Sequence, residues 1–226
     1  MILLGVSGKL GVGKNYITEH YIVPKLIQRL SNNDVQYVPY FFSFGTQVKV
    51  ELYSRDTSSS LDYNNLFVNK SKQSRTSLQK YATENGRDVY RKDMWIRAID
   101  MWIKVQLDNL KVINTHLTTK IVPIFVVEDV RFENEYNYIK SNSGILVLVE
   151  SFQRNFQKNL SELINKENDT VHESEKGLEH LEFHLRLNND PVNSDSLEFI
   201  IDKFTKDLPY SAKVSGANFR TLWNPR

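Results

Sequence analysis

Cysteine is absent from this chain of 226 residues. That absence excludes a disulfide scaffold, a cysteine nucleophile and a zinc ribbon together. An excess of one charge is missing too, because 29 lysines and arginines nearly cancel 27 aspartates and glutamates. Nucleic-acid binding would need a local basic patch, and no such partner is expected. Long apolar runs are also lacking: the longest, Ile121 to Val127, contains Pro123 and is far too short to span a membrane. The opening Met1-Ile2-Leu3-Leu4 ends at Gly5 without a basic start, which argues against a signal peptide. The expectation is a cytoplasmic protein with no membrane partner. A chain of this length buries roughly 70% of its unfolded surface, so no metal or disulfide staple is needed.

Glycine is sparse but concentrated. Of nine glycines, Gly5, Gly8, Gly11 and Gly13 fall within the first thirteen residues. Gly8-Lys9-Leu10-Gly11-Val12-Gly13-Lys14 fits G-x-x-x-x-G-K, the phosphate-binding loop, between a buried strand (Ile2 to Val6) and a helical pattern starting at Tyr16. Glycines let successive backbone amides turn inward around phosphate oxygens, and the following helix points its positive end there. Lys14 is expected to reach the β- and γ-phosphates as a mobile point charge. The bland alternative is a glycine-rich turn that merely packs strand on helix. Asn15 follows the lysine where most such loops carry a hydroxyl on Mg²⁺, and it offers a weaker carbonyl ligand.

Strand-like and helix-like stretches then alternate. Val35 to Phe42 reads as a strand that Pro39 places at an edge. Phe44 to Tyr53, Arg75 to Tyr81, Asp93 to Leu110, Glu133 to Lys140 and Leu197 to Leu208 have helical spacing. Ile121 to Val127 and Ile145 to Val149 are continuous β-branched runs, hence buried parallel strands, and Glu179 to Leu187 is weaker strand material. Ser54 to Ser74 is polar and reads as a mobile insertion. The expectation is an α/β fold with a mostly parallel sheet and helices on both faces. Glu128-Asp129-Val130-Arg131 follows the buried strand. Ligands of such sheets sit beyond the carboxyl ends of strands, so Asp129 is expected to hold a Mg²⁺ water and Arg131 to meet an anion.

Further motifs carry a resemblance. Arg75-x-x-Leu-Gln79, Thr83-Glu84-x-Gly86-Arg87, Trp95-x-Arg97 and Asp129-x-Arg131-x-x-x-Glu135 come in that order. Asp169-Thr-Val-His172-Glu-Ser174-Glu175-x-Gly177-Leu178 and Asn188-Asn189-Asp190 follow. From about Ile2 to Leu208 this set resembles the phage and viral deoxynucleoside monophosphate kinases. The resemblance implies a single three-layer P-loop kinase domain with a helical acceptor-binding region (about 44–110) and a lid (about 151–178). It implies ATP as donor, Mg²⁺ as cofactor and a deoxynucleoside monophosphate as acceptor, in a host cytoplasm if the origin is viral, with a homodimer as one possible assembly.

Position by position, the resemblance puts Gly8, Lys9, Gly11, Val12, Gly13, Lys14, Asn15 and Tyr16 on the ATP phosphates and Asn15 and Asp129 at the metal. It puts Lys49, Arg75, Gln79, Thr83, Glu84, Arg87, Trp95 and Arg131 around the acceptor, and Lys14, Asp129, Arg131 and Arg154 in catalysis. His172 would cap the lid or touch the adenine. Three positions depart from the family: Asn15-Tyr16 replaces Asp-Thr, Ala82 replaces a glycine, and Glu150 replaces an arginine whose charge Arg154 would take over. Trp95 would stack on the base, crowd a 2′-hydroxyl or serve as core of its helix. Arg75 and Arg87 have solvated helix charges as their alternative.

The chemistry fits these residue types independently. A phosphate monoester is mostly dianionic at neutral pH, so the attacking oxygen needs no general base. It needs positioning and cancellation of charge repulsion. His20, His116, His180 and His184 lack metal-like spacing. The tail, 209–226, is a strap or a partner-docking segment. Two other functions compete: a phosphomevalonate-kinase-like small-molecule kinase, and a P-loop module that binds nucleotide without transfer.

Overall fold

The computed structural model describes residues 1–55, 63–68, 72–153, 177–190 and 194–207. They form two compact units. One comprises Met1–Phe41 with the described residues from Leu107 onward, and the other is Phe42–Gln106.

The first unit is built on five parallel strands: β1 (Ile2–Ser7), β2 (Val35–Phe42), β3 (Lys120–Val130), β4 (Ile145–Glu150) and β5 (Leu185–Asn188), ordered β2-β3-β1-β4-β5. Pro39 costs a ladder bond, and β2 lies at the edge as its proline requires. The sheet is a middle layer with helices on both sides. On one side Ile2, Leu4 and Val6 of β1, Ile124 and Val126 of β3 and Val147 of β4 pack against Ile17, Ile22, Leu26 and Ile201 in one buried cluster. Those last four come from the helical stretch after β1 and from α7 (Ser194–Asp207). Helix α6 (Glu133–Ser141) covers β1 and β4 from the other side, with Ile139 fully buried. An α/β architecture with a three-layer parallel sheet is therefore what these residues build.

The helix after β1 is uneven for a local reason. It runs as α1 (Lys14–Ile17), a π segment (Thr18–Ile22) and α2 (Val23–Leu30). Pro24 has no amide hydrogen for His20, and the helix widens so that the Val23 amide donates to the Thr18 carbonyl. The predicted strand over Glu179–Leu187 is shorter than its composition implies. Arg186 donates through Nη2 to the carbonyls of Glu179 (2.7 Å) and Leu181 (2.8 Å), which holds that stretch in a turn, and β5 begins only at Leu185.

The second unit contains α3 (Phe44–Arg55), a π turn (Asn64–Val68), α4 (Lys72–Lys80), a π segment (Tyr81–Arg87) and the first half of α5 (Met94–Thr115). Within the 54–74 stretch, the described residues 63–68 are helical, with Leu66 fully buried. Among the described residues no helix is long and apolar enough to cross a membrane.

Candidate functional site

The glycine-rich loop leaves the carboxyl end of β1, the central strand. Gly8, Gly11 and Gly13 have φ of 146°, 84° and 87°, values that side-chain-bearing residues rarely adopt. At Gly8 a second reason operates: a Cβ there would lie 2.2 Å from the Val149 carbonyl oxygen. The loop thus touches the backbone of β4 with no room for a side chain. Gly13 caps α1 in the left-handed region, and Ile17 N donates back to its carbonyl at 3.0 Å. Lys14 is buried, and its Nζ donates to the carbonyls of Gly8 (2.7 Å) and Lys9 (2.9 Å). The ammonium is held inside the loop, where phosphate oxygens can replace these carbonyls as its acceptors. Lys9 pairs with Glu179 at 3.2 Å, while Asn15 and Tyr16 are exposed.

The end of β3 lies beside this loop. Gly5 is opposite Val127 but Ser7 is opposite Val130, so two steps on β1 match three on β3. The extra residue makes a bulge at Glu128-Asp129, a device that re-aims side chains near sites. Asn15 Nδ2 donates to Glu128 Oε2 at 3.3 Å, joining loop and strand end. Glu128 Oε1 is buried without a hydrogen-bond partner. Burial raises the Glu128 carboxyl to about 7, with the charges of Glu19 and Asp129 adding to the effect and Lys14 opposing it. Glu135, almost fully buried, accepts from the Arg131 amide (2.8 Å) and the Phe132 amide (3.1 Å). It therefore caps α6 and fixes the Asp-x-Arg turn.

A third piece comes from the far edge of the sheet. Asn189 Nδ2 donates to the carbonyl of Val12 at 2.8 Å, inside the glycine-rich loop. Asp190 receives the Ser151 hydroxyl at 2.6 Å, just beyond β4. Glu150 stands at the end of β4, with Arg186 at 3.9 Å.

The remaining candidates belong to the helical unit. Arg75, Gln79, Thr83 and Arg87 recur every four residues across α4 and the π segment that follows. Four residues overshoot one turn of an α-helix and fall short of one turn of the wider π-helix, so the drift of this line is reversed midway. The spacing therefore keeps the four positions on one side of the helical stretch. Glu84 is exposed and pairs with Lys80 at 3.8 Å, and Lys49 sits 5.4 Å above the Phe67 ring centroid. Trp95 is 4% exposed and donates through Nε1 to the Ala82 carbonyl at 3.1 Å. Its ring lies against Gly86, where a Cβ would be 2.4 Å from Cζ2. The glycine of Thr-Glu-x-Gly-Arg thus makes space for the tryptophan of the next motif.

No family model and no curated protein matches this chain. Among solved structures, one described as "Crystal structure of APE1195" aligns over 91% of this chain and 93% of that one, at 12% identity and a TM-score of 0.38. Likeness at that level says nothing about the reaction.

The structure brings Lys14, Asn15, Glu128 and Asp129 together, with the Arg131 backbone anchored by Glu135. Among the described residues no group of three or more histidines or carboxylates is arranged as a metal cage. Arg154, His172, the Asp169–Glu175 motif and the tail lie outside the described residues. The sequence motif contains Glu135 but does not reveal its capping role, because a capping box is read from Ser, Thr, Asp or Asn at the cap, and Phe132 stands there. The motif likewise contains Asn189 without revealing its contact, because a side-chain bond to a loop 177 residues earlier leaves no local pattern.

Proposed function

We propose that this chain is an ATP-dependent kinase that transfers the γ-phosphoryl group to a deoxynucleoside monophosphate, giving ADP and a deoxynucleoside diphosphate. The observation that carries the ATP half is the loop itself: three glycines at positive φ and a buried lysine ammonium at the carboxyl end of the central strand. The acceptor half rests on the ordered motifs of the helical unit and on the line Arg75, Gln79, Thr83, Arg87.

In this reading an oxygen of the acceptor monophosphate attacks the γ-phosphorus. The new P–O bond forms as the bond to the β,γ-bridging oxygen breaks, and ADP leaves with that electron pair. No proton is abstracted, since the acceptor is already dianionic near neutral pH. Lys14 exchanges its loop carbonyls for phosphate oxygens and offsets charge on the moving group. Arg131, on a turn locked by Glu135, supplies a planar fork for the acceptor phosphate. Glu128 and Asp129 suit a hydrated cation, because Glu128 Oε1 is a buried oxygen that a metal-bound water would satisfy. Asn15 stands beside them through its bond to Glu128. When bound with ATP, Mg²⁺ would spread the phosphate charge.

An ADP-release assay with deoxynucleotide, ribonucleotide and phosphomevalonate acceptors tests this. Turnover with at least one deoxynucleoside monophosphate, at ten times or more the rate with phosphomevalonate, is expected. Two observations favour a second reading, nucleotide binding without transfer. The Asn15 amide group is engaged with Glu128, and Glu150 stands near Arg186 where the resembling family has an arginine. ADP binding with no turnover on any acceptor would select that reading.

A further inference from the structure

The tripeptide Asn188-Asn189-Asp190 has no part in the chemistry above, yet its bonds reach three places at once. The Asn189 backbone amide donates to the Glu150 carbonyl at 2.8 Å and extends the β4–β5 ladder by one rung. Its side chain donates to the Val12 carbonyl at 2.8 Å. Asp190, itself buried, accepts from Ser151 Oγ (2.6 Å), the Phe152 amide (3.2 Å) and the Gln153 amide (3.2 Å). The Ser151 hydroxyl first, with the two amides and the Asn188 side chain, holds the Asp190 carboxyl below the usual carboxylate range against the opposing effect of burial.

We propose that Asn189 and Asp190 are positioning residues for the phosphates of the nucleotide, a joint that sets the phosphate loop and the chain leaving β4 as one piece. The argument lies in the geometry of one peptide. Val12 sits between Gly11 and Gly13, both at positive φ, so the loop backbone is free to turn there. There are no cis peptide bonds among the described residues. In a trans peptide the carbonyl of Val12 and the amide of Gly13 lie in one plane and point in opposite directions. A bond from Asn189 to that carbonyl therefore fixes where the Gly13 amide points, and that amide opens the helix whose positive end faces the phosphates. Asp190 in turn fixes where Asn189 stands, through the buried hydroxyl of Ser151. The bonds of Asp190 to the Ser151 hydroxyl and the two amides favour one arrangement over its neighbours, while Asn188 Oδ1 beside them is buried without a partner among the described residues.

This inference rests on the loop being a nucleotide site, and the experiment separates the two. Isothermal titration of Mg·ADP is run on the wild type, on Asn189→Asp, which keeps the shape but cannot donate, and on Asp190→Asn. The Michaelis constants for ATP and for the acceptor are measured beside it. Asn189→Asp is expected to weaken Mg·ADP about tenfold and to raise the ATP constant by a similar factor, with the acceptor constant within twofold. Asp190→Asn is expected to weaken Mg·ADP about threefold. Amide hydrogen exchange of residues 8–16 in the nucleotide-free variants should accelerate in both. A role limited to holding the fold would lower thermal stability and leave the affinity of the folded fraction unchanged. Affinities within twofold of wild type in the folded variants overturn the joint while leaving the ATP site standing. If Asn189→Asp does not fold, Asp190→Asn decides by the same criterion. A wild type that binds no Mg·ADP takes down the ATP reading and the joint with it.

Discussion

Backbone groups carry the glycine-rich loop, whereas side chains carry the helical unit Phe42–Gln106. At the loop, three residues at positive φ turn the chain and the lysine is held by two carbonyls. In the helical unit the candidate groups are an arginine, a glutamine, a threonine and a second arginine in line along α4 and its π continuation. Both regions use a glycine for close approach, but against different neighbours. Gly8 meets a strand carbonyl, and Gly86 meets the indole of Trp95. A strand backbone cannot yield without breaking a sheet, while a ring can shift. The first region should therefore tolerate almost nothing, and the second should tolerate change at the cost of acceptor binding.

The largest effect expected is at Lys14. Lys14→Ala removes the charge that phosphate oxygens would meet, and such groups are worth about 3–4 kcal/mol of barrier, or a hundredfold to a thousandfold in rate. ADP release should fall by that factor, with the circular dichroism spectrum of the fold retained. Turnover near the wild-type rate in the folded variant would end the ATP-site assignment.

The two glycines test the comparison directly. Gly8→Ala puts a Cβ against the Val149 carbonyl at a φ of 146°, so a loss of roughly 3 kcal/mol or more is expected from clash and backbone strain together. Mg·ADP binding should be lost with it. Gly86→Ala overpacks against Trp95 and should cost about 1–3 kcal/mol. Mg·ADP affinity should stay within twofold while the acceptor Michaelis constant rises. Equal loss of Mg·ADP binding in both variants would erase the distinction between the regions.

These regions also differ in how much of them the sequence reveals. The loop is legible because spacing encodes it: glycines at 8, 11 and 13 state where the backbone must turn, and all three have positive φ. The parallel sheet is legible for the same reason, since Ile121–Val127 and Ile145–Val149 have no polar face to offer water. Legibility ends where one residue acts through a distant one. Gly86 gives no hint that it seats Trp95, and the bulge that brings Glu128 to Asn15 is a mismatch in register between strands far apart in sequence rather than a pattern in either strand. The π segment Thr18–Ile22 follows from Pro24, whose effect depends on the helix around it.

Glu128 sharpens the comparison from the stability side. Its carboxyl is raised to about 7 in the fold, chiefly by burial, against about 4.3 in an unfolded chain. The folded state then binds more protons than the unfolded one between these values, so stability falls as pH rises through that window and the full cost is present above about pH 7. Glu128→Gln removes the charge and should raise the melting temperature at pH 8 by several degrees. That corresponds to roughly 1–2 kcal/mol after allowance for partial solvent contact. At pH 4.5 the gain should shrink to near zero. A gain equal at both values would mean that the cost of burying this carboxylate is not what destabilises the wild type.

The smallest effect concerns Trp95, and it decides whether that ring packs or recognises. Trp95→Phe removes the Nε1–H bond to the Ala82 carbonyl and the far atoms of the indole, so a loss of about 1 kcal/mol is expected, or a melting temperature lower by about 2–4 °C. If the ring only packs, the acceptor Michaelis constant should stay within twofold. If the ring stacks on a base, that constant should rise severalfold with less change in melting. The double variant with Gly86→Ala settles the packing directly. Phenylalanine lacks the Cζ2 atom that a Cβ at position 86 would strike at 2.4 Å, so Gly86→Ala should cost less in the Trp95→Phe background than in the wild type. A coupling of about 1 kcal/mol between the two changes is expected for residues in contact. Additive losses would mean that the indole already yields, and that the space left by Gly86 is not what seats it.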